Sequence, residues 1–376
     1  MDQKLTAVAH AQAIPPYHPG LPISAVAREI GIDASQIVKL ASNENPRGMS
    51  PAARLALQEL SEDYGRYPDP DCYELRAALG KKLSLDPAKF VVGAGTSELL
   101  VLIARAFLTD GRNAVVPECA FGVYDTATRS VGARSVIVPA IEYGHDLDGM
   151  LSAIDEKTSV VFVASPNNPT GTSLDSKLLE RFFDDVPPNV LIVFDEAYRE
   201  FMEPAKRPQC NQWLARYPNL IVLRTFSKIY GLAGLRVGYG MADMPIVNIL
   251  QKLRSPFSVS VAAQVAAKAA LDDDEFVNSS YEDNAAGLKY MSDGLRKLGI
   301  RFVPSSANFI LLHVDDAAAV YNKLLRRGLI VRPLASWGLP KSLRVTIGTP
   351  TENELFLNAL RDVTLELGES LSGAQR

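Results

Sequence analysis

The segment LIVLRTFSKIYGLAGLRVGYG, residues 220–240, opens and closes with an apolar run and carries one lysine and four glycines. An apolar run with no polar alternation predicts a strand that is buried on both faces of a sheet. Lys228 follows the first run, so it lies at the carboxyl end of that strand. Two interpretations of Lys228 stay open here. It is either an ordinary solvated surface charge, or a partly buried lysine whose lowered pKa makes its amine a nucleophile toward carbonyls.

Apolar runs of this kind recur from about residue 90 to residue 240 and alternate with helical patterns. The runs are FVVG, AVVP, SVIVP, VVFVAS, VLIVFDE, LIVLRTFS and RVGYG. Strands interleaved with helices predict an α/β fold with a doubly wound, mostly parallel sheet. Ligands of such sheets bind beyond the carboxyl ends of the strands.

After about residue 255 the pattern changes to alanine-rich helices followed by NFILLHV, AAAVYNKLLRRG, LIVRPL and SLRVTIGT. We read LIVRPL and SLRVTIGT as strands of a smaller α+β domain. The proline-rich segment AIPPYHPGLPIS predicts an extended arm near the amino terminus. We therefore expect a large domain over residues 46–255. Residues 1–45 and 256–376 would form the small domain, as an N-terminal arm plus a C-terminal α+β part.

The amino-acid composition and net charge argue against several kinds of function. The 376 residues are 47% hydrophobic and 22% charged, with a net charge of −4. That mildly acidic balance lacks the electrostatic pattern of a nucleic-acid binder, and no basic run suggests a membrane surface. Three well-separated cysteines favour neither disulfides nor a zinc site. Since neither a signal peptide nor a transmembrane run is evident, we expect a soluble cytoplasmic protein without a metal.

The segment VVGAGTSELL, residues 91–100, predicts a strand that turns through glycines into a helix. Backbone amides at a helix N-terminus favour a phosphate group. The segment is neither a complete GxGxxG motif, because Glu98 stands at the position of the last glycine, nor a P-loop, because no Gly-Lys-Ser/Thr follows. An ordinary strand–helix turn is the alternative interpretation.

Three more polar side chains stand at or near strand ends. Asp195 follows the run VLIVF, and a partly desolvated carboxylate there needs a partner, such as Mg²⁺, a cationic ring nitrogen, a helix end or a structural ion pair. Magnesium is disfavoured because the chain has no P-loop. Asn168 lies in VASPNNPTG, either as part of a plain turn or as a hydrogen-bond donor to a ligand. Arg236 is a fixed cation that could neutralise a phosphate.

A phosphate cradle, a buried carboxylate, an amide and a nucleophilic lysine together suit pyridoxal phosphate, which forms a Schiff base with a lysine. The chain also resembles the histidinol-phosphate aminotransferases, within the aspartate-aminotransferase superfamily of pyridoxal-phosphate enzymes. The resemblance covers nearly the whole chain. It rests on PYHPG, ASNENP, GRYPDP, GAGTSELL, SPNNPTG, DEAY, TFSKIYGLAGLRVGY, VRPLASWGLP and LRVTIGT.

The resemblance implies roles around the cofactor. Lys228 would form the Schiff base and later shuttle a proton, and Asp195 would keep the pyridine nitrogen protonated. The phenolic oxygen of the ring would be bound by Tyr198 and Asn168, and Phe121 would stack on the ring. The remaining cofactor residues would hold the phosphate: Thr96, Ser97, Thr225, Ser227, Arg236 and, from the neighbouring subunit of a homodimer, Tyr67.

The resemblance also implies the substrates. Arg344 would anchor the substrate anion, with Arg332 as a second phosphate contact and Tyr17 and Asn43 in the pocket. The expected reaction transfers the amino group of L-histidinol phosphate to 2-oxoglutarate, and an aromatic amino-acid aminotransferase is the alternative. Phe121 stands where many relatives carry tyrosine. Ser97 stands where relatives often carry an acidic residue or asparagine, and neither departure identifies the amino donor.

The residues argue against two further classes of function. A non-catalytic cofactor-binding protein is disfavoured because Lys228, Asp195 and Arg344 are all present. A nucleotide hydrolase that uses Asp195 and Glu196 with Mg²⁺ is disfavoured by the missing P-loop.

Overall fold

The computed structural model describes residues 6–16, 20–60 and 64–368. Within these residues the strands are β1 (Val38–Lys39), β2 (Phe90–Gly93), β3 (Asn113–Pro117), β4 (Arg134–Val138), β5 (Thr158–Ala164), β6 (Leu191–Asp195), β7 (Leu220–Thr225), β8 (Gly238–Ala242), β9 (Phe302–Val303), β10 (Phe309–His313), β11 (Leu329–Ile330), β12 (Arg332–Pro333) and β13 (Ser342–Thr346). The α-helices of the same residues are α1 (Ala9–Gln12), α2 (Ile23–Ile30), α3 (Pro51–Glu59), α4 (Tyr73–Leu83), α5 (Thr96–Phe107), α6 (Val123–Ser130), α7 (Leu147–Ser152), α8 (Ser176–Asp185), α9 (Cys210–Arg216), α10 (Met244–Leu253), α11 (Val261–Leu271), α12 (Asp274–Lys297), α13 (Ala317–Arg326) and α14 (Pro350–Leu367).

The central sheet has seven strands in the order β2-β8-β7-β6-β5-β3-β4. Strands β4, β3, β5, β6 and β7 run parallel, and β8 is antiparallel to both β7 and β2. All seven apolar runs between residues 90 and 240 form strands of this sheet. The predicted doubly wound, mostly parallel α/β fold is therefore confirmed.

Successive residues of the central strands enter two different cores, one on each face of the sheet. Val161 and Val163 of β5 face one core, whereas Val160 and Phe162 face the other. This alternation follows from the two-residue period of a strand. Helices α4, α8, α9 and α11 cover the first face, and α5, α6 and α10 cover the second.

The alanine-rich pattern after residue 255 forms two helices with different neighbours. Helix α11 packs against α3 and α4, and four of its alanines, Ala263, Ala266, Ala267 and Ala270, are fully buried in a core of the central sheet. Small side chains let neighbouring helices approach closely. Helix α12 instead joins α13 and α14 over a second sheet, with Met291 and Leu295 in that core.

The second sheet has the order β12-β13-β10-β9 and is antiparallel. A separate parallel pair joins β1, which follows the N-terminal arm, to β11. The sequence predicted one strand over LIVRPL, and that prediction was wrong in detail. The chain changes partners at Val331, so β11 pairs with β1 while β12 pairs with β13. Both pieces are largely buried, and an apolar run does not reveal that its halves pair with different strands.

Local sequence sets the ends of two helices. Helix α2 is followed by Gly31, which adopts a left-handed conformation with φ 74°. Helix α3 begins after Ser50, whose hydroxyl accepts a hydrogen bond from the Ala53 amide, with Pro51 in the first turn. Capping of this kind satisfies backbone groups that the helix itself leaves unpaired. Among the described residues, no helix is long and apolar enough to cross a membrane.

Candidate active site

The polar strand ends predicted from the sequence meet in one cavity of about 240 Å³. It opens beyond the carboxyl ends of β5, β6 and β7, where parallel strands place the residues that follow them. The predicted residues that line it are Asn43, Thr96, Ser97, Phe121, Asn168, Asp195, Tyr198, Thr225, Ser227, Lys228, Arg236, Arg332 and Arg344. The structure therefore gathers residues from positions 43 to 344 around one space.

One end of the cavity presents cations and backbone amides. Gly95 has φ 82° and directs the chain into α5, whose first two residues, Thr96 and Ser97, line the cavity. A Cβ on Gly95 would lie 2.5 Å from Nη2 of Arg236. The guanidinium Nη1 of Arg236 donates to the Ser227 hydroxyl at 3.3 Å and to the Ala233 carbonyl at 3.0 Å. A helix N-terminus beside a fixed guanidinium is suited to a phosphate.

Glu98 explains why this turn departs from a P-loop. Its Oε2 accepts a hydrogen bond from the Ala94 amide at 2.5 Å and another from the Ser258 hydroxyl at 3.2 Å. The carboxylate of Glu98 therefore accepts a hydrogen bond from a backbone amide of the glycine turn, and that amide is not available to a phosphate.

Asp195 stands at the end of β6 and is 5% exposed. Its Oδ1 accepts from the Ala197 amide at 3.0 Å, and its Oδ2 accepts from the Tyr124 hydroxyl at 2.8 Å. Burial raises the pKa of Asp195 to about 6, and these two hydrogen bonds act in the opposite direction. A buried carboxylate in this position favours a cationic partner, such as a protonated ring nitrogen.

Glu196 follows Asp195 but points away from the cavity. Its Oε2 lies 2.8 Å from Arg224 Nη2, and both side chains are almost fully buried. Adjacent residues at a strand end face opposite sides, so only Asp195 reaches the cavity. Among the described residues, no cluster of His, Cys, Asp and Glu side chains could hold a metal.

Lys228 Nζ donates to the Ser42 carbonyl at 3.1 Å and lies 5.7 Å from the centre of the Tyr198 ring. Burial, together with the nearby cations Arg344 and Arg236, lowers the pKa of Lys228 from 10.5 to about 8. A lysine in that range is partly neutral near physiological pH, which a nucleophile requires. The geometry thus favours the nucleophilic interpretation of Lys228 over an ordinary surface charge.

Side-chain amides order the middle of the cavity. Asn43, which adopts φ 55°, donates from Nδ2 to the Tyr198 hydroxyl at 2.9 Å. Arg344 Nη1 donates to Oδ1 of Asn168, so the amide nitrogen of Asn168 is the end that remains to donate. Tyr198 and Asn168 are therefore both held by neighbours within the cavity.

Arg332 and Arg344 lie directly opposite each other on β12 and β13. Both are nearly buried, with 9% and 5% of their surface exposed. Arg344 Nη2 donates to the Ala41 carbonyl at 2.7 Å, and the Arg332 guanidinium lies 4.9 Å from the Trp337 ring centre. Like charges on opposed residues of a sheet repel. This pair therefore favours an anion in the cavity.

Phe121 lines the cavity and meets Tyr124 edge-on, with ring centres 5.9 Å apart. The sequence resemblance assigns a role to Phe121 but none to Tyr124, which lies three residues later in α6. Phe121 lies two residues before α6, and the Tyr124 amide donates to the Phe121 carbonyl at 3.0 Å, so a turn rather than a helix face brings the two rings together.

Two predicted residues are not among those that line the cavity. Tyr67 is 82% exposed and stacks on Phe257 with ring centres 4.5 Å apart. Its predicted contact belongs to a neighbouring subunit, so the single chain does not test it. Tyr17 lies outside the described residues.

Comparison with known proteins identifies the family of the chain. The model of the family described as aminotransferase class I and II matches residues 35–360. Histidinol-phosphate aminotransferase 1 of Thiobacillus denitrificans is 50% identical, over 95% of this chain and 93% of the relative. Histidinol-phosphate aminotransferase 2 of Pseudomonas aeruginosa is 49% identical, over 94% and 96%.

A solved structure extends the similarity to the fold. The histidinol-phosphate aminotransferase from Sinorhizobium meliloti, in complex with pyridoxal-5'-phosphate, superimposes with a TM-score of 0.88 at 28% identity. That similarity covers 97% of this chain and 98% of the solved chain. From the family match over most of its length and from these relatives, we conclude that this chain belongs to the class I and II aminotransferases.

Proposed function

We propose that this aminotransferase uses pyridoxal phosphate to transfer the amino group of L-histidinol phosphate to 2-oxoglutarate. The products are imidazole acetol phosphate and L-glutamate. The observation that carries the choice of donor is the pair of nearly buried arginines, Arg332 and Arg344, on opposed positions of neighbouring strands. The curated relatives of about half-identical sequence are histidinol-phosphate aminotransferases, which supports the same choice.

Two guanidinium groups suit a phosphate better than a carboxylate. A phosphate monoester carries between one and two negative charges at neutral pH and offers three acceptor oxygens. A carboxylate carries one charge and is satisfied by a single guanidinium fork. Trp337 supports Arg332 from the other side, since its ring centre lies 4.9 Å from that guanidinium. An aromatic amino acid has a carboxylate in place of the phosphate, so it would satisfy only one of the two guanidinium groups.

The residues present fit pyridoxal phosphate at three points. The amides of α5 and the Arg236 guanidinium would bind the phosphate, and Gly95 leaves space that a Cβ would otherwise fill. The buried carboxylate of Asp195 provides for the ring nitrogen. Lys228 provides the amine for the aldehyde. When bound, pyridoxal phosphate stabilises negative charge that develops at the α-carbon of the substrate.

Each residue then has a physical task. The Lys228 amine, with its pKa near 8, is the nucleophile when neutral and the group that moves a proton from and to the substrate carbon. Asp195 keeps a proton on the ring nitrogen. Asn168 and Tyr198 donate to the phenolic oxygen, while Phe121 covers one ring face. Thr96, Ser97, Thr225 and Ser227 join Arg236 at the phosphate.

The substrate side of the cavity is formed by both domains of the proposed division, 46–255 and 1–45 with 256–376. Asn43 lies at this side and orients the Tyr198 hydroxyl. Arg344 anchors the substrate phosphate of the donor and the carboxylate of the acceptor. Tyr17 is proposed as a further contact on the resemblance alone.

The proposal includes a homodimer in the cytoplasm. Tyr67 would reach the cofactor phosphate of the neighbouring subunit, and it is exposed rather than turned toward its own cavity. Other large apolar side chains near it in sequence, Leu55, Tyr64 and Tyr73, are also more than half exposed. An exposed apolar set of this kind is typical of an interaction surface.

A half-reaction tests the donor. The purified holoenzyme is mixed with either L-histidinol phosphate or L-phenylalanine, without a keto acid, and the absorbance of the lysine-bound cofactor is followed. We expect a much larger rate per unit concentration with L-histidinol phosphate. A larger rate with L-phenylalanine would make Arg344 a carboxylate anchor and this chain an aromatic amino-acid aminotransferase.

A further inference from the structure

Tyr124 makes the one side-chain hydrogen bond to Asp195 found in the described residues. The tyrosine is 1% exposed and lies in α6, and its ring stacks on Phe162 with centres 4.9 Å apart and planes 9° from parallel. Phe162 belongs to β5, so sheet and helix together fix the ring. The hydroxyl is thus aimed at Asp195 by packing that does not depend on the cofactor.

The pKa values of Tyr124 and Asp195 show which of the two groups is the donor in this hydrogen bond. Burial and the adjacent charge of Asp195 raise the pKa of Tyr124 well above its ordinary value, so the phenol keeps its proton and donates. A hydrogen bond donated to a carboxylate stabilises the charged form. Tyr124 and the Ala197 amide therefore act together to keep Asp195 ionised despite its burial.

The two donors also determine how Asp195 is presented. Oδ1 is held by the Ala197 amide and Oδ2 by Tyr124, so the carboxylate plane is fixed at both oxygens. Each carboxylate oxygen can accept a second hydrogen bond. Asp195 can therefore accept a hydrogen bond from a protonated ring nitrogen without rotating and without losing either of its present donors.

We propose that Tyr124 is a positioning residue that orients Asp195 and keeps it ionised, and so holds the proton on the ring nitrogen of the cofactor. This inference rests on the proposed cofactor but adds a residue to which neither the comparisons nor the sequence interpretation assigns a role. Tyr124 does not itself take part in proton transfer to the substrate.

Other charged or titratable groups act on the same carboxylate. Glu196, the next residue, raises the pKa of Asp195, and Lys228 lowers it. Tyr198 is also close enough to affect Tyr124 electrostatically. Removing the Tyr124 hydroxyl alone leaves those three groups in place, so a change in pH dependence reports on the hydrogen bond.

The test compares Tyr124→Phe with wild type. The substitution removes the hydroxyl and keeps the ring against Phe162. A matched control is Tyr217→Phe, because the Tyr217 hydroxyl also donates to a carboxylate, Asp184 Oδ1 at 2.9 Å, and neither residue lines the cavity. Both proteins are first checked for an unchanged circular-dichroism spectrum and for stability in urea.

Three measurements follow: kcat, its pH profile, and the binding of two cofactors to the full chain. The cofactors are pyridoxal phosphate and its 1-deaza analogue, which has a carbon in place of the ring nitrogen. We expect Tyr124→Phe to lower kcat about tenfold and to move the acidic limb of the profile upward by about one pH unit, because the lost donor stabilised the carboxylate. Pyridoxal phosphate should bind several-fold more weakly, with no change for the analogue.

The outcomes separate the inference from the proposed function. Equal weakening of both cofactors, or an unchanged pH profile, would give Tyr124 a merely structural role and overturn the inference. Wild-type behaviour of Tyr124→Phe in all three measurements would overturn it as well. Failure of the wild-type chain to bind pyridoxal phosphate would instead overturn the proposed function.

Discussion

Gly95 offers a sharp test of the phosphate end of the cavity. Its backbone has φ 82° and ψ 167°, a region that is essentially reserved for glycine. Its missing Cβ would lie 2.5 Å from Nη2 of Arg236 and 3.3 Å from Cζ of the same side chain. Alanine at this position would therefore strain the turn into α5 and push the guanidinium away.

The size of the effect has two sources. Backbone strain at a glycine-only conformation costs about 1–3 kcal/mol. The guanidinium must also leave its place, which removes a charge-assisted hydrogen bond to the cofactor phosphate, worth about 1.5–3 kcal/mol. If only the second effect reaches binding, Gly95→Ala should weaken the affinity for pyridoxal phosphate about 10- to 100-fold.

Gly111 is a matched control, since it has the same φ of 82° and no atom within 4 Å of an added Cβ. Cofactor-free wild type, Gly95→Ala and Gly111→Ala are titrated with pyridoxal phosphate by absorbance, and their unfolding in urea is compared. Gly111→Ala should lose some stability but keep its affinity. Wild-type affinity in Gly95→Ala, or an equal loss in both variants, would refute the placement of the phosphate beside Arg236.

Further predictions concern the ring, the substrate anion and the lysine. Asp195→Asn should still bind the cofactor but lose most of its turnover, because a neutral amide no longer holds the ring nitrogen protonated; near-normal kcat would count against this role. Arg344→Lys should raise KM for both substrates while cofactor absorbance is kept, because an ammonium group cannot form the guanidinium fork; unchanged KM values would remove Arg344 from the site. Lys228 should stabilise the cofactor-free chain more as pH rises from about 8 toward 10.5, because its folded-state pKa is lowered to about 8 and the unfolded state binds more protons at this group in that interval. Thiols such as Cys119, whose pKa is raised by burial, act in the opposite direction. The difference in urea stability between wild type and Lys228→Met isolates the lysine, and an unchanged difference across the interval would contradict the sign.

The sequence predicted the part of the site that follows directly from strand ends. Asp195 and Lys228 come after apolar runs, and parallel strands place such residues at one edge of the sheet. The glycine turn before α5 could be recognised for the same reason. These predictions need only the positions of apolar runs in the sequence and the parallel arrangement of the strands.

Other features depend on contacts between distant segments. The Tyr124–Asp195 hydrogen bond joins residues 71 positions apart, and the Asn43–Tyr198 bond joins residues 155 positions apart. The opposition of Arg332 and Arg344 depends on the register of β12 against β13, which a two-residue β12 does not reveal in the sequence. Local propensity contains no information about such pairings, so only the folded structure shows them.

The most direct measurement is the identity of the residue that binds the cofactor covalently. The holoenzyme is reduced with borohydride, digested, and analysed by mass spectrometry for the phosphopyridoxyl group. We expect the label on the peptide that carries Lys228, and its loss in Lys228→Ala together with turnover. A label on another lysine of the wild-type chain, or continued turnover in Lys228→Ala, would contradict the assignment of this cavity as the active site.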